Sequence, residues 1–455
     1  MKKLHLLCAA AVLVAPATAF AQETTSAIRG QVTSGGAPVS GAQVIVIHDP
    51  SGTRSVVDSD ANGAFSRAGL RVGGPYSVEV SADGYDTINI TDLYLTTGEA
   101  FRVPVELPKQ EASKDIVVTG TRVAREQSTG PITALTRTEI EGAASVNRDI
   151  RDLGRRDAFV TMDLTNSRTI EVAGNNGRLN RFSAEGVQFS DDFGLNNGGL
   201  PTSRGPVPFD AIEQFSIKVA PFDIAEGDFQ GGAINVILRS GGNRFKGSAF
   251  YSYTDDSLTG DETRGQEIDL EFDSKQYGGF LSGPLIKDKL YFMVAYEKTK
   301  ESDPFHDGIG SGFANQVPLL NAGDTRDPLE LIDDIGAIAQ SNYGYDTLGL
   351  IQNAVEEDEK IVAKLDWNIT DSQRASFTYM RNIGTQQFQQ NTFTTPPTAL
   401  GLQSNGYELK EEVNSGVFQL NSDWTDNFST ELRVSHRDYK RDQTPFGGRE
   451  FAQFE

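Results

Sequence analysis

Few residues of this sequence are suited to metal binding or to nucleophilic chemistry. The chain contains four histidines, His5, His48, His306 and His436, and one cysteine, Cys8. Neither a His/Cys metal cluster nor a cysteine nucleophile can be assembled from so few residues. The sequence also lacks the HExxH, GxSxG and Walker signatures of common enzymes. We therefore expect no catalytic residue, no metal and no cofactor, and we predict that the protein is not an enzyme.

One run looks like half of a calcium-binding loop. Asp58, Asp60 and Asn62 supply oxygens at the first, third and fifth positions, and Gly63 follows at the sixth. The twelfth position, where such a loop has a bidentate glutamate, is Gly69. An Asn-Gly pair equally suits a tight turn between strands, since both residues tolerate a positive φ. We interpret the run as a β-turn.

Length and charge restrict the class of protein. The chain has 455 residues, and single hydrophobic cores stop growing near ~250–300 residues. Two or more domains are therefore expected. Lys and Arg number 41 against 63 for Asp and Glu, which gives a formal charge of −22. Nucleic-acid binding requires a basic surface, so we expect no nucleic-acid partner.

The chain begins with a targeting segment. Lys2 and Lys3 precede a short apolar run, and Ala19 and Ala21 form an A-x-A cleavage site. The run is shorter than the ~20 residues that a transmembrane helix needs. We predict a signal peptide over residues 1–21 and an exported protein. Since no long apolar run follows, entry into a membrane would require a closed β-barrel.

Residues 26–107 read as short strands separated by Gly/Pro turns, which predicts a small β-sandwich. The order of its motifs resembles the carboxypeptidase regulatory-like domain, a carbohydrate-binding-like fold. The residues that carry this resemblance are Gly30, Pro38, Gly41, Ala42, Asp60, Gly63, Phe65, Tyr76, Gly84 and Tyr85.

A polar linker with a β-rich end follows, over residues 108–122. Such a run is suited to adding as a strand to the sheet edge of a partner, or to forming the first strand of the next domain. The residue types leave both possibilities open. The run resembles the TonB box of TonB-dependent outer-membrane transporters. The resemblance implies that TonB, with its inner-membrane energising complex, pairs with Asp115, Ile116, Val117, Val118 and Thr119.

Residues 123–244 resemble the plug domain of the same transporters, and the combination with a regulatory-like domain is closest to the Oar-like subgroup. Thr138 and Glu141 have the spacing of a helix capping box. The family commonly has Ile-Asp-Gly where this chain has residues 184–186, Ala-Glu-Gly. The positions that match the plug pattern, and to which the resemblance gives a structural role, are Ile212, Glu213, Gly231, Gly232 and Asn235.

Residues 245–455 contain alternating segments. Leu290, Phe292, Val294 and Tyr296 form one apolar face, and the odd positions from Ile361 to Ile369 form another. Strands of ~10 residues, apolar outside and polar inside, are typical of an outer-membrane barrel. A soluble antiparallel sheet with one wet face would alternate as well.

The connections favour the barrel. The predicted strands are connected by short turns at 287–288, 370–372 and 425–427. Between these turns lie long loops over 299–358 and 382–410. Outer-membrane barrels have short periplasmic turns and long external loops. The acidic loop 299–358 we interpret as solvated surface rather than as a cation-binding lid. We count about seven strands, whereas a plugged transporter has ~22, so we expect the sequence to be the N-terminal portion of a longer chain.

The two tryptophans provide a more specific expectation. Trp367 and Trp424 each lie shortly before a short turn and share the parity of an apolar face. Aromatic girdles flank the apolar band of such barrels. We predict that both indoles face lipid at the same depth near the periplasmic rim.

The expected fold class is mostly β: an N-terminal β-sandwich, an α+β plug domain, and the first strands of an antiparallel transmembrane β-barrel. The resemblance implies a TonB-dependent receptor in the cell outer membrane, surrounded by outer-membrane lipid. Such a receptor would bind a scarce extracellular solute, such as a siderophore, saccharide or peptide, and import it by TonB-driven plug movement. The alternative hypothesis is a secreted or surface β-rich protein for carbohydrate binding or adhesion.

Overall fold

The structure is a computed structural model in which strands dominate. The predicted signal peptide and Asp115 lie outside the described residues. The described residues are 24–97, 100–110, 116–119, 132–143, 145, 147–163, 169–196, 198–219, 230–260, 262–263, 266–267, 272–304, 328–351, 353–390, 401–425 and 428–448.

The first unit, which we call the sandwich, has two sheets whose alternate residues point into a shared core. In one sheet, β1 pairs with β2 and β5 in antiparallel fashion and with β8 in parallel; the other has the order β4-β3-β6-β7. Its strands are β1 (Ser26–Ser34), β2 (Ala37–Pro38), β3 (Gln43–His48), β4 (Thr53–Asp58), β5 (Ala64–Leu70), β6 (Gly73–Ser81), β7 (Ile88–Leu95) and β8 (Ala100–Glu106).

The sandwich has a core of its own. β4 shows the period of two clearly, because Thr53, Ser55 and Val57 are buried while Arg54 and Val56 are exposed. The buried apolar residues contributed by these strands form one cluster that is separate from the core of the rest of the chain. The sandwich is therefore packed as a domain.

The calcium-like run forms a turn between β4 and β5. The Asp60 Oδ1 atom accepts hydrogen bonds from the backbone N–H groups of Asn62 (2.8 Å) and Ala64 (2.9 Å). Gly63 has a φ of +72°, which is the conformation that favours glycine. The prediction of a β-turn is confirmed.

A short strand, β9 (Ile116–Thr119), follows the sandwich in sequence and joins its second sheet. β9 lies parallel to β7, so that the sheet has the order β4-β3-β6-β7-β9.

The second unit, which we call the inner unit, is a five-stranded sheet of order β10-β15-β16-β13-β14 with two short helices and a separate hairpin, β11-β12. Its elements are β10 (Ile132–Thr136), α1 (Arg137–Glu141), α2 (Ile150–Gly154), β11 (Val160–Asp163), β12 (Thr169–Val172), β13 (Arg181–Ala184), β14 (Val187–Gln188), β15 (Ile212–Lys218) and β16 (Ala233–Leu238).

The predicted capping box was placed two residues too late. The carboxylate of Glu139 accepts a hydrogen bond from the backbone N–H of Thr136, at 2.8 Å. Thr136 is the residue immediately before α1, whereas Thr138 already lies within the helix and cannot cap it.

The third unit is a seven-stranded antiparallel sheet of order β17-β20-β21-β22-β23-β24-β25. Within the described residues, β17 and β25 form its two edges. The elements are β17 (Lys246–Asp255), the hairpin strands β18 (Glu262–Thr263) and β19 (Gln266–Glu267), β20 (Asp273–Ile286), β21 (Leu290–Pro304), α3 (Pro328–Tyr343), β22 (Asn353–Thr370), β23 (Gln373–Phe388), β24 (Tyr407–Thr425) and β25 (Phe428–Pro445).

These strands are longer than predicted, and the predicted loop over 299–358 is wrong at both ends. β21 continues to Pro304 and β22 begins at Asn353, with α3 between them. The flanks of the loop are mostly polar, so the regular hydrophobic alternation ends before the backbone pairing does. None of the described helices is both long enough and apolar enough to cross a membrane.

Candidate functional site

The two faces of the seven-stranded sheet differ sharply in chemistry. Large apolar side chains are exposed on the outer face: Tyr251, Tyr277, Leu281, Val294, Leu365, Trp367, Ile369, Phe377, Phe418, Trp424, Leu432 and Val434. Polar and charged side chains are buried on the inner face: Gln276, Glu297, Thr299, Asp358, Lys360, Lys364, Asp366, Asn368, Arg374, Thr378, Asn382 and Glu411. Soluble proteins rarely expose so extended an apolar face, whereas lipid-facing strands require one.

Both tryptophans lie on the outer face. Trp367 is 50% exposed and Trp424 is 56% exposed, which excludes a place in a soluble core. The Trp424 indole Nε1–H donates to Thr430 Oγ1 at 2.9 Å, which satisfies its polar atom. Their outward orientation agrees with the prediction, and their common depth in lipid stays a prediction.

The inner unit packs against the polar face of the sheet, and one contact joins them through Glu185. Its Oε2 atom accepts from Lys364 Nζ at 3.0 Å, and its Oε1 atom accepts from the backbone N–H of Leu238 at 2.7 Å. All of these groups are buried. Glu185 stands in the Ala-Glu-Gly turn that departs from the family pattern, so the longer side chain still places a carboxylate there.

A second contact centres on Glu297 of β21. Its carboxylate is 3.2 Å from Lys360 Nζ and 3.4 Å from Arg148 Nε, and it accepts from the backbone N–H of Phe209 at 3.1 Å. Lys360 also lies 3.1 Å from Asp358. Arg148 and Phe209 belong to the inner unit. The two units therefore meet through paired and largely buried charges, in addition to a shared apolar cluster.

A cavity of about 360 Å³ opens between the inner unit and the strand ends that border the long loops. Phe388 and Tyr407 stack in its wall, with ring centroids 5.2 Å apart. Arg204 lies 2.5 Å from Glu301 and 3.4 Å from Glu356. The volume of this cavity and its mixture of aromatic and charged groups suit a small polar solute.

Two groups of the inner unit that line this cavity are charged despite burial. Burial disfavours ionisation of Asp149, but the Arg151 guanidinium 2.5 Å away outweighs it and holds the pKa of Asp149 well below its usual range. Burial opposes the charge of Arg204 too, yet Glu301 and Glu356 raise its pKa above the usual value. The cavity wall therefore remains charged at neutral pH.

The sandwich docks at the opposite end, where the short turns lie. Arg67 forms an ion pair with Asp423 at 2.5 Å, and Asn368 Nδ2 donates to Thr53 Oγ1 at 2.9 Å. The Tyr291 hydroxyl donates to the carbonyl oxygen of Ser51 at 2.6 Å.

The TonB-box-like segment is part of the sandwich sheet. Ile116, Val117, Val118 and Thr119 lie beside Ile88, Asn89, Ile90 and Thr91 of β7, in register. The sequence left open whether this run is a partner-binding strand or the first strand of the following domain. In the structure it pairs with the preceding domain rather than with the following one, and its binding to a partner stays a prediction.

The predicted plug residues lie together in the inner unit. Ile212 is fully buried at the start of β15, and Asn235 pairs across the sheet with Ser216 and Ser183. Glu213 faces the sandwich; burial raises its pKa, although nearby Arg239 partly opposes the shift.

Gly231 and Gly232 permit a close approach of backbone segments. A Cβ atom on Gly231 would lie 2.5 Å from Asn180 Oδ1, and one on Gly232 would lie 2.7 Å from the Val172 methyl groups. The Gly232 N–H donates to the same Asn180 Oδ1 at 2.9 Å. Larger residues would force this loop away from β12.

Sequence reasoning missed most of the charged contacts. It placed Lys364 on the polar face by alternation, but nothing in the local sequence marks Glu185 as its partner. Nor does it mark Glu297 or Arg204 as members of ion pairs. Across the described parts of the chain, no group of three or more His, Cys, Asp or Glu side chains could hold a metal ion.

The fold thus defines a class of mostly β protein. Its antiparallel sheet turns an apolar face outward and a polar face towards an inner α+β unit, and a β-sandwich precedes both in the sequence. Comparison with known proteins makes this more particular. Residues 27–108 match the carboxypeptidase regulatory-like domain, and residues 237–326 match an outer membrane beta barrel domain.

One curated relative is the TonB-dependent transporter Oar of Myxococcus xanthus, 26% identical over 135 residues, which are 28% of this chain and 12% of that protein. Among solved structures, the outer membrane transporter YddB from Escherichia coli shares 13% identity over 69% of this chain and 40% of its own, with a TM-score of 0.49. The siderophore receptor PirA from Acinetobacter baumannii shares 17% identity over 71% of this chain and 42% of its own, with a TM-score of 0.48.

The chain thus spans well under half the length of each of these proteins. It contains a carboxypeptidase regulatory-like domain and an outer membrane beta-barrel domain, and it is a homologue of the Oar transporter. These matches locate it in the cell outer membrane.

Proposed function

We propose that the full-length protein is a TonB-dependent outer-membrane receptor that imports an extracellular solute. The observation that carries the proposal is the pairing of an apolar outer face with a polar inner face against which an α+β unit packs. A secreted carbohydrate-binding or adhesion protein would expose such an apolar face to water, which soluble proteins rarely do. Homology to the Oar transporter supports the same choice.

The inner unit acts as the plug in this proposal, and residues 123–244 are the plug domain. Its polar contacts with the sheet, such as those of Glu185 and Glu297, can exchange for water when the unit shifts. The apolar cluster that the two units share opposes this shift. Work from outside the unit is therefore needed, and TonB supplies it from the energised inner membrane.

The solute enters at the cavity beside Arg204, Phe388 and Tyr407. Charged and stacked aromatic groups together suit a siderophore, a saccharide or a peptide. Every step in this cycle is binding or movement, so it requires no catalytic residue, and the protein is a receptor rather than an enzyme.

TonB engages residues 115–119. An extended strand of TonB adds to the backbone of this segment, as peptides add to exposed sheet edges. Because backbone hydrogen bonds supply the affinity, the identity of each side chain matters less than the availability of the N–H groups.

The test is Val117→Pro in the full-length protein, with Val117→Ala as the matched control. Proline removes one backbone donor and fixes φ, whereas alanine keeps the donor. We expect Val117→Pro to lose retention on the immobilised periplasmic domain of TonB and to lose TonB-dependent uptake, while binding of solute at the cell surface is unchanged. Uptake that persists in Val117→Pro would contradict the assignment of the segment.

A further inference from the structure

β9 is the outermost strand of the sandwich sheet. Its backbone pairs with β7 over four consecutive positions, from Ile88–Ile116 to Thr91–Thr119. β7 in turn pairs with β6 on its other side, which fixes β7 within the domain. The coupling segment is therefore held extended by a folded domain.

Only one edge of β9 is occupied within the described residues, because the sheet order ends at β9. In a strand, alternate backbone groups point to the two edges, so half of the N–H and C=O groups of β9 point away from β7. A further strand can add there while the pairing with β7 stays intact.

We propose that the sandwich presents the coupling segment to TonB: the partner strand adds to the free edge of β9, and β9 remains bound to β7. This inference rests on the proposed function, since it concerns the same partner at the same segment. TonB then completes a sheet of order β4-β3-β6-β7-β9-TonB.

The arrangement has two physical consequences. Fixing the backbone of a disordered segment costs conformational entropy, and β7 has already ordered these four residues before the partner arrives. Moreover, TonB becomes joined to the whole sandwich. The sandwich is itself attached to the short-turn end of the large sheet through the pair Arg67–Asp423 and the Asn368–Thr53 hydrogen bond. A pull by TonB is therefore shared by these contacts.

The test fixes β9 to β7 with a disulfide and asks whether TonB still binds. Asn89 and Val117 are paired positions of neighbouring strands, which lie ~4.8 Å apart, within the ~4.4–6.8 Å Cα separation that a disulfide spans. Asn89→Cys with Val117→Cys is made in the full-length protein without other cysteines. The matched control is Ile45→Cys with Val56→Cys, a paired position on the far strands of the same sheet.

The probe is the purified periplasmic domain of TonB, and its Kd is measured for oxidised and reduced forms of each pair. We expect oxidised Asn89→Cys/Val117→Cys to bind TonB within threefold of the reduced form, or more tightly. A larger loss on oxidation, absent from the control pair, would show that TonB needs the edge that β7 occupies and would overturn the proposal. Failure of this pair to cross-link while the control pair does would also overturn it.

The two proposals fail differently. If Val117→Pro still binds TonB, the segment is not the coupling site and the proposed function loses its partner contact. If Val117→Pro abolishes binding and the oxidised Asn89→Cys/Val117→Cys form also cannot bind, the segment is the coupling site but must leave β7 first.

Discussion

Replacing Glu185 with alanine should loosen the inner unit from the seven-stranded sheet. The change removes both acceptors of a buried carboxylate, so the Lys364 ammonium and the Leu238 N–H lose their partners at 3.0 and 2.7 Å. Removing one partner of a buried ion pair costs about 3–5 kcal/mol, because the remaining charge stays desolvated. At about 1.4 kcal/mol per tenfold, the population in which this contact is open should rise roughly 100- to 4,000-fold.

The assay is maleimide labelling of a buried cysteine. Ser216 is 2% exposed in β15, so Ser216→Cys reports openings of the inner unit when other cysteines are absent. The control is Glu141→Gln, which removes an exposed ion pair with Arg137 at 2.7 Å and should change the free energy of opening by at most about 0.5 kcal/mol.

A second variant separates charge from packing. Glu185→Ala combined with Lys364→Met removes the uncompensated ammonium, and it should restore a large part of the slow labelling. Labelling of Glu185→Ala within threefold of the unchanged protein would refute the reasoning, since the contact would then contribute almost nothing.

Two further predictions concern the sandwich. Residues 26–107 should fold alone, because their apolar cluster is separate from that of the other units; a fragment without a cooperative thermal transition would contradict this. Burial holds the pKa of His48 well below its usual value of 6.5. Below pH 6.5 the unfolded chain therefore binds more protons than the folded one. The free energy of unfolding should fall as the pH drops through about 6.5, by up to ~1.4 kcal/mol per pH unit. Thermal melts of the full-length protein at pH 7.5 and 5.5 should show a smaller loss in His48→Gln, and an equal loss in both proteins would sink this assignment.

Local patterns in the sequence predicted much of the fold. Alternation placed Leu365 and Trp367 outside and Lys364 and Asp366 inside, and the structure agrees. Turn residues marked the reversal at Gly63. These features follow from interactions between residues close in sequence, which is why they could be read without a structure.

Strand ends were harder to predict because they do not depend on hydrophobicity. β21 and β22 continue beyond the membrane-sized alternating segments, held by pairs such as Lys300 with Glu357 at 3.0 Å.

In β7, the left-handed residue Asp92, with a φ of +64°, interrupts the regular pattern. That strand was not predicted.

Contacts distant in sequence could not be predicted at all. Glu185 and Lys364 are 179 positions apart, and Arg67 and Asp423 are 356 apart. Any carboxylate and any cation of the sequence could pair, and only the fold selects among them. The pairing of β9 with β7 was missed for a similar reason, since a β-rich run does not specify which edge it joins.

The central claim is that the apolar face of the seven-stranded sheet stands in lipid, and tryptophan quenching tests it most directly. The chain has two tryptophans, so other tryptophans of a longer protein would be replaced. The protein is reconstituted in lipids brominated at graded depths of the acyl chain. We predict that Trp367 and Trp424 are quenched equally, and most strongly by shallow bromines. No quenching by any of these lipids would contradict the account and place the sheet in water.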